Sequence, residues 1–244
     1  MHVPSATELL NLWETGQALG PVERALALLM VSRPDVPDEA LAEMPIGRRD
    51  AELLSLRERL FGSLVTALAR CPRCGDRFEL SFTVADVRVA GPDHPVLLVE
   101  DHGYAVRARP ANSVDLMDCQ AGPGARAMER AVIAQCTLEA RRGDVAVDVD
   151  DLPEPVVEAV AHAMSVADPQ ADVQIDLGCA ACGHRWPAVF DVASFLWREI
   201  HAWAKRLLDE VHTLASAYGW SEADILRMSA CRRRRYVSMV AGVG

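Results

Sequence analysis

Two cysteines in the segment CPRCGDRF, residues 71–78, have the spacing with which two thiolates bind one metal ion. Cys71 and Cys74 are separated by two residues, and the glycine that follows Cys74 permits a tight turn of the backbone. The same spacing occurs in redox-active thiol pairs and in disulfides. One pair alone therefore leaves a metal site, a redox pair and a disulfide as alternatives.

A second segment of the same kind, CAACGHRW, occupies residues 179–186. At an offset of 108 residues, the cysteines, the glycine, the arginine and the aromatic residue of the two segments align. Structural Zn²⁺ sites have four ligands in a tetrahedron, often four thiolates, and leave no position for water or substrate. The sequence therefore predicts a closed site for one structural Zn²⁺, with the ligands Cys71, Cys74, Cys179 and Cys182. Its binding free energy would contribute to folding.

The sequence also allows other interpretations of the cysteines. A thioredoxin-like pair lies at a helix N-terminus, whereas strand-like patterns follow both pairs here. The site could also be empty, or His184 could replace one thiolate. The isolated Cys119, Cys136 and Cys231 are predicted to be buried as small hydrophobic residues.

Helical patterns precede the first cysteine pair. Ser5 is the predicted cap of a first helix, Pro21 lies in the first turn of a second, and leucines at helical spacing predict a helix over 47–68. The first 70 residues are therefore predicted to be helical throughout.

Strand-like patterns surround the cysteine pairs. Segment 78–89 alternates apolar and polar residues, 94–109 has the pattern of a hairpin that turns at 101–103, and 171–177 is a further strand. Helices are predicted over 125–138 and 156–166, with an acidic loop between them.

The last third of the chain contains the longest predicted element. Apolar residues from Phe195 to Tyr218 recur every three or four residues along a helix of about seven turns. Gly219 can end this helix, and Ser221 with Asp224 predicts the start of another.

These patterns predict an α+β fold, with helical N- and C-terminal parts around a small antiparallel β region. Two distant CxxC turns would form a Cys₄ zinc ribbon in it. The predicted regions are a helical one over 1–70, a β and zinc-ribbon region over 71–194 with inserted helices over 118–170, and a long helix with short C-terminal helices over 195–244. We expect them to form one integrated domain.

Composition restricts the function classes. The 244 residues contain 35 acids against 25 bases, a net charge of −10, which disfavours general binding to nucleic acid or anionic membranes. No signal peptide and no transmembrane segment is recognised, so a cytoplasmic setting with reduced thiols is expected.

Motifs of catalysis are absent from the sequence: there is no GxSxG, HExxH, P-loop or GxGxxG. The acidic segment 148–151 lacks the glycine and the distal glutamate of a calcium loop. His201 and His212 are about three helical turns apart and are predicted to be surface or hydrogen-bonded core residues. We therefore predict a protein that is not an enzyme and has no small-molecule substrate.

The basic cluster RRRRY, residues 232–236, has three interpretations. It could be a short nucleic-acid patch, a basic helix end that balances acids elsewhere in the chain, or a docking site for an acidic partner. The first is disfavoured because aromatic residues are not interleaved with the arginines.

Several of these segments, in this order, resemble a known family. They are ATELLNLWETG at the start, LRERLFG at 56–62, the two cysteine turns, the helix that begins FDVASFLWREI, and YGWSEADIL with RRRRY near the end. The chain resembles, from about Ala6 to Val240, the T4-type baseplate protein family, known as baseplate hub assembly chaperones. Its members occur in contractile-tailed phages and in phage-tail-like injection systems of bacteria.

The resemblance implies a structural or chaperone-like role in building a baseplate, with the hub, the spike or other tail proteins as partners. The protein would then act in the cytoplasm or become part of the tail particle. A nucleic-acid-binding zinc ribbon is the alternative, with only Arg73, Arg77 and Arg185 near the cysteines to support it. A CxxC thiol oxidoreductase is a further alternative.

Overall fold

The computed structural model describes residues 1–91, 96–119 and 124–242. It is a mixed structure of helices and small antiparallel sheets, as predicted, and the β part consists of three separate sheets in the described residues. The helices are α1 (Ala6–Gly16), α2 (Pro21–Ser32), α3 (Asp38–Ala42), α4 (Ile46–Phe61), α5 (Ser113–Asp118), α6 (Ala125–Cys136), α7 (Glu154–Ala167), α8 (Val192–Tyr218), α9 (Glu222–Leu226) and α10 (Ala230–Val240). The strands are β1 (Leu64–Arg70), β2 (Arg77–Thr83), β3 (Leu97–Asp101), β4 (Tyr104–Ala108), β5 (Thr137–Arg142), β6 (Val145–Ala146), β7 (Gln174–Gly178) and β8 (Arg185–Val189).

The N-terminal helices begin where the sequence predicts. The Ser5 hydroxyl accepts a hydrogen bond from the backbone N–H of Glu8, and the Glu8 carboxylate accepts one from the backbone N–H of Ser5. These two bonds satisfy donors that an uncapped helix start would leave free. Pro21 occupies the first position of α2, where its missing N–H costs nothing.

The predicted helix over 47–68 is wrong in its last part. Helix α4 ends at Phe61, Gly62 follows with φ of 89°, and residues 64–70 form strand β1. Leu64 and Leu68 continue the helical spacing in the sequence, but they are 60% and 79% exposed on one face of the strand. The leucine spacing alone does not distinguish helix from strand in this segment, and the pairing of β1 with β2 shows that it is a strand.

Two of the sheets are two-stranded hairpins, β1–β2 and β7–β8, and the third has the order β3-β4-β5-β6. The predicted hairpin turn is confirmed, with φ of 48° at His102 and 78° at Gly103; the first two residues of the predicted segment, 94 and 95, lie outside the described residues. The β2 prediction is too long, because residues 84–87 form a 3₁₀ turn.

Strand β5 was not predicted. The pattern favoured a helix to residue 138 and then a loop, whereas α6 ends at Cys136 and β5 pairs with β4. Ala140 is buried opposite Val106, so the strand owes its position to its neighbour more than to its own sequence.

Helix α8 connects the main core to the C-terminal helices. Its N-terminal half packs against α1, α2 and α4 through buried Leu196 and Ile200, and its C-terminal half buries Val211 and Leu214 against α9 and α10. Gly219 ends α8 with φ of 68°, and the Ser221 hydroxyl accepts from the N–H of Asp224, as predicted. A separate apolar cluster lies between the four-stranded sheet and α7.

Candidate metal centre

Each cysteine pair lies at the tip of a two-stranded hairpin. Cys71 and Cys74 connect β1 to β2, and Cys179 and Cys182 connect β7 to β8. The sequence predicted the strand after each pair and, over 171–177, the strand before the second pair; the structure adds β1 before the first pair, so each turn connects two paired strands.

The two turns have the same backbone hydrogen bonds. In the first, the N–H of Cys71 donates to the carbonyl of Asp76 at 2.9 Å, and the N–H of Gly75 donates to the carbonyl of Cys71 at 2.9 Å. In the second, Cys179 N–H donates to His184 O at 2.9 Å, and the glycine N–H donates to Cys179 O at 2.8 Å. The two glycines have φ of 78° and 70°, a region that favours glycine. The offset of 108 residues therefore relates two copies of one local structure.

The four sulfur atoms come together between the two hairpins. Cys71 Sγ lies 3.7 Å from Cys182 Sγ, and Cys74 Sγ lies 3.6 Å from Cys179 Sγ. All four sulfur atoms lie within 4.8 Å of one another. A disulfide needs about 2.05 Å, whereas Zn–S bonds of about 2.3 Å give a tetrahedron with edges of about 3.8 Å. The spacing therefore fits four thiolates around one ion.

Aromatic contacts join the two hairpins along the strands that follow the cysteine pairs. Phe78 packs edge-on against Trp186 with ring centroids 6.1 Å apart, and Phe82 packs edge-on against Phe190 at 5.3 Å. Both pairs join positions that the 108-residue offset aligns in the sequence. The inner faces of the hairpins thus support the sulfur geometry independently of any ion.

The electrostatics of the thiols favour a cation. Desolvation raises the pKa of Cys71, but hydrogen bonds from the backbone N–H groups of Cys74 and Arg73 outweigh it and lower the pKa to about 7. A backbone hydrogen bond from Asp76 lowers the pKa of Cys74, but contacts with the other thiols, led by Cys182, and desolvation raise it to about 12. The Cys74 thiol by itself therefore resists ionisation, and a divalent cation between the four sulfur atoms would stabilise its thiolate form.

The other sequence-derived site residues lie outside this cluster. The ring of His184 stacks on Trp186 with centroids 5.6 Å apart, and it is not among the four grouped ligand atoms. Cys136 is buried, as predicted, and burial together with Asp115 raises its pKa to about 12. Cys119 is half-buried and Cys231 is exposed, so the prediction of burial is wrong for Cys231, which lies on the outer side of α10.

The two histidines and the acidic segment that the sequence singled out lie outside the cysteine cluster. His201 Nδ1 accepts a hydrogen bond from Trp13 Nε1 at 3.0 Å, and His212 is exposed, in agreement with the prediction of hydrogen-bonded or surface histidines. Residues 149–151 form one 3₁₀ turn within the acidic loop.

Arg57 contacts the start of the first hairpin, at the end of β1 away from the cysteines, and the sequence did not single it out. Its guanidinium, 4% exposed, makes two hydrogen bonds to the Glu199 carboxylate at 2.8 and 2.9 Å. It also donates to the carbonyls of Gly62 at 2.6 Å and Leu64 at 2.8 Å. Arg57 therefore joins α4 and α8 to the start of the first hairpin. Its place in LRERLFG was the available signal, but its partner lies 142 residues away.

Comparisons with known proteins agree with the resemblance seen in the sequence. The family model described as T4 bacteriophage base plate protein matches residues 30–197, which include both cysteine turns and Arg57. No curated protein and no solved structure matches the chain. In the part of the chain that the structure describes, no helix combines the length and apolar character needed to cross a membrane. The matched residues make up more than half of the sequence, and the chain belongs to the T4 bacteriophage base plate protein family.

Proposed function

We propose that this chain is a non-enzymatic structural or assembly protein for the baseplate of a contractile phage tail or a phage-tail-like injection system. The observation that carries the proposal is the family match over residues 30–197. A baseplate protein acts by contacting other tail proteins, and the hub and the spike are the proposed partners. A chaperone that leaves after assembly and a component that stays are the two forms of this role.

The four cysteines are proposed to bind one structural Zn²⁺. Support comes from the sulfur distances of 3.6 and 3.7 Å and from the matching turns on two hairpins. Thiolates favour zinc over hard cations such as Mg²⁺ and Ca²⁺. With four protein ligands the ion has no open position, so its role would be to fix the two hairpins to each other. No catalytic part is proposed for it.

We expect the protein purified without added metal to contain about one equivalent of zinc, because a closed four-thiolate site retains its ion during purification. The measurement is elemental analysis of the purified chain together with a thiol count before and after chelation. Less than about half an equivalent would contradict the zinc proposal, since a closed site would not lose most of its ion.

Two rival functions are less well supported. A thiol oxidoreductase places its pair at a helix N-terminus, and strands β2 and β8 follow the pairs here. A nucleic-acid-binding ribbon needs a basic surface, and the exposed arginines of the two turns are accompanied by Asp76, Glu79 and Asp176. Insulin reduction that is lost in a Cys71→Ala variant would favour the first rival, and salt-dependent binding of DNA or RNA would favour the second.

The baseplate role predicts a stable complex with at least one tail protein encoded beside this chain. Pull-downs with separately purified hub, spike, tube and sheath proteins measure this, and detection of the chain in purified tail particles separates a component from a chaperone. The cytoplasm of the producing cell is the proposed place of action, with incorporation into the tail as the alternative. If none of the four proteins binds, the proposed role is wrong.

A further inference from the structure

The net charge of the chain changes sign at the end of the family match. Residues 1–197 contain 17 bases and 30 acids, whereas residues 198–244 contain eight bases and five acids. The first part therefore has a net charge of −13 and the second a net charge of +3. The excess of basic over acidic residues is therefore confined to the C-terminal part of the chain.

The basic part forms its own small helical cluster. The end of α8 packs against α9 and α10 through Val211, Leu214 and Ile225, which are separate from the main core. Because this cluster buries its own apolar residues, α10 keeps a defined outer face without help from the β region.

The four consecutive arginines of α10 divide into one inner and three outer residues. Arg233 is 5% exposed and donates to the Glu210 carboxylate at 2.8 Å and to the carbonyl of Met228 at 2.7 Å, which fixes α10 on α8. The side chains of Arg232, Arg234 and Arg235 are exposed, and none forms an ion pair with a described residue. Arg232 and Arg235 lie three residues apart on one face of the helix, and we call these two residues the α10 patch. It does not balance acids within the fold, which argues against the second interpretation of RRRRY.

Apolar and aromatic side chains lie beside the α10 patch. Trp220 stacks on Tyr218 with centroids 4.5 Å apart and packs edge-on against Tyr236 at 5.0 Å. Tyr218 is 40% exposed, and Met239 at the end of α10 is 50% exposed. Arginine, tryptophan and tyrosine are the residues that contribute most often to binding free energy at protein interfaces.

We propose that the α10 patch is the docking site for an acidic polypeptide segment of another tail protein. Charge complementarity supports this site, because the guanidinium groups of Arg232 and Arg235 form no ion pair with a described residue and can form two-pronged hydrogen bonds with carboxylates. The inference rests on the proposed baseplate role, because that role supplies the partner. It adds the surface that is used and the chemistry of what binds there.

A short acidic segment fits this surface better than a nucleic acid does. Helix α10 has 11 residues and is about 16 Å long, so it can contact only a few carboxylates or phosphates. A nucleic acid longer than this would extend over a molecule in which residues 1–197 have a net charge of −13 and would be repelled. A polypeptide can confine its acidic residues to the length of the helix.

The test uses the whole 244-residue chain and a fluorescein-labelled peptide rich in glutamate, with fluorescence anisotropy as the measurement. The control probe has glutamine at every acidic position, and a short labelled DNA duplex is the competing probe. We expect binding of the acidic peptide only, weakened about tenfold or more in R232E/R235E. The variant R232K/R235K keeps the charge but loses the planar donors, so a smaller loss of about threefold is expected.

Arg48→Glu is the matched control variant, because Arg48 is exposed on α4 and forms no ion pair among the described residues. It should bind the acidic peptide as the unmodified protein does. Equal loss in this control, equal binding of the glutamine peptide, or preferred binding of DNA would each overturn the proposal. Self-association that disappears in R232E/R235E would overturn it too, in favour of a second copy as the occupant.

The outcome can be separated from that of the baseplate role. If R232E/R235E binds the hub, spike, tube or sheath protein as the unmodified chain does, the docking proposal is wrong and the baseplate role stands. If the unmodified chain binds no tail protein, the baseplate role fails whatever the peptide shows. A near-normal melting temperature of R232E/R235E is expected, since both side chains are exposed, and Arg233 is left unchanged to preserve the fold.

Discussion

Replacing Cys182 with alanine is expected to lower the melting temperature by about 10 °C or more and to reduce bound zinc to less than about half an equivalent. The change removes one of four ligands, opens the coordination sphere and leaves the two hairpins joined mainly by their aromatic contacts. The measurements are thermal unfolding by circular dichroism and elemental analysis. Chelation of the unmodified protein should lower its melting temperature in the same way.

Cys231→Ala is the matched control for this prediction. It removes an exposed thiol on α10 that is far from the cluster in sequence and is not one of the four grouped cysteines. Its zinc content and melting temperature should equal those of the unmodified protein. Unchanged melting of the Cys182→Ala variant, with full zinc retention, would show that Cys182 is not a ligand.

Replacing Arg57 with alanine is expected to destabilise the fold by about 3–5 kcal/mol, the usual cost of removing one partner of a buried ion pair. The Glu199 carboxylate and the carbonyls of Gly62 and Leu64 would lose their donors together. At about 2–4 °C per kcal/mol for a chain of this size, the melting temperature should fall by about 10 °C. Because Leu64 begins the first hairpin, zinc should also be released faster to a chelator.

Arg59→Ala tests whether the effect belongs to this network. Arg59 is exposed two residues further along α4, and among the described residues its side chain makes one hydrogen bond, of 3.4 Å, to the carbonyl of Met1. A change of less than about 1 kcal/mol is expected for it. Replacing both Arg57 and Glu199 should lower the free energy of unfolding by less than the sum of the two single changes, because the two residues share one interaction. Equal melting of the Arg57 and Arg59 variants would contradict the assigned role.

The candidate metal centre was almost fully predictable from the sequence. The four cysteines, the glycine after each pair and the aligned Phe78 and Trp186 are local features that occur twice, and repetition made them recognisable. The structure confirms that the four thiols meet. That these thiols bind zinc stays a prediction. The division into regions over 1–70, 71–194 and 195–244 also stays a prediction.

The strands show where sequence patterns were insufficient. In 64–70, leucines four residues apart indicated a helix, yet the segment pairs with β2 and exposes both leucines. Residues 137–142 carry no alternating pattern, and they form β5 because β4 offers an unpaired edge. Both segments take their structure from a partner strand that lies elsewhere in the chain.

The sequence by itself determined the helix starts at Ser5 and Pro21, the end of α8 at Gly219 and the four cysteines that meet at the candidate centre. These depend on caps, turns and spacings within a few residues, which the local chain controls. Tertiary structure alone decided that Arg57 bonds Glu199, that Arg233 faces inward and that its three neighbours face solvent. Those outcomes depend on which distant groups fill the same space, and no short-range pattern in the sequence contains that information.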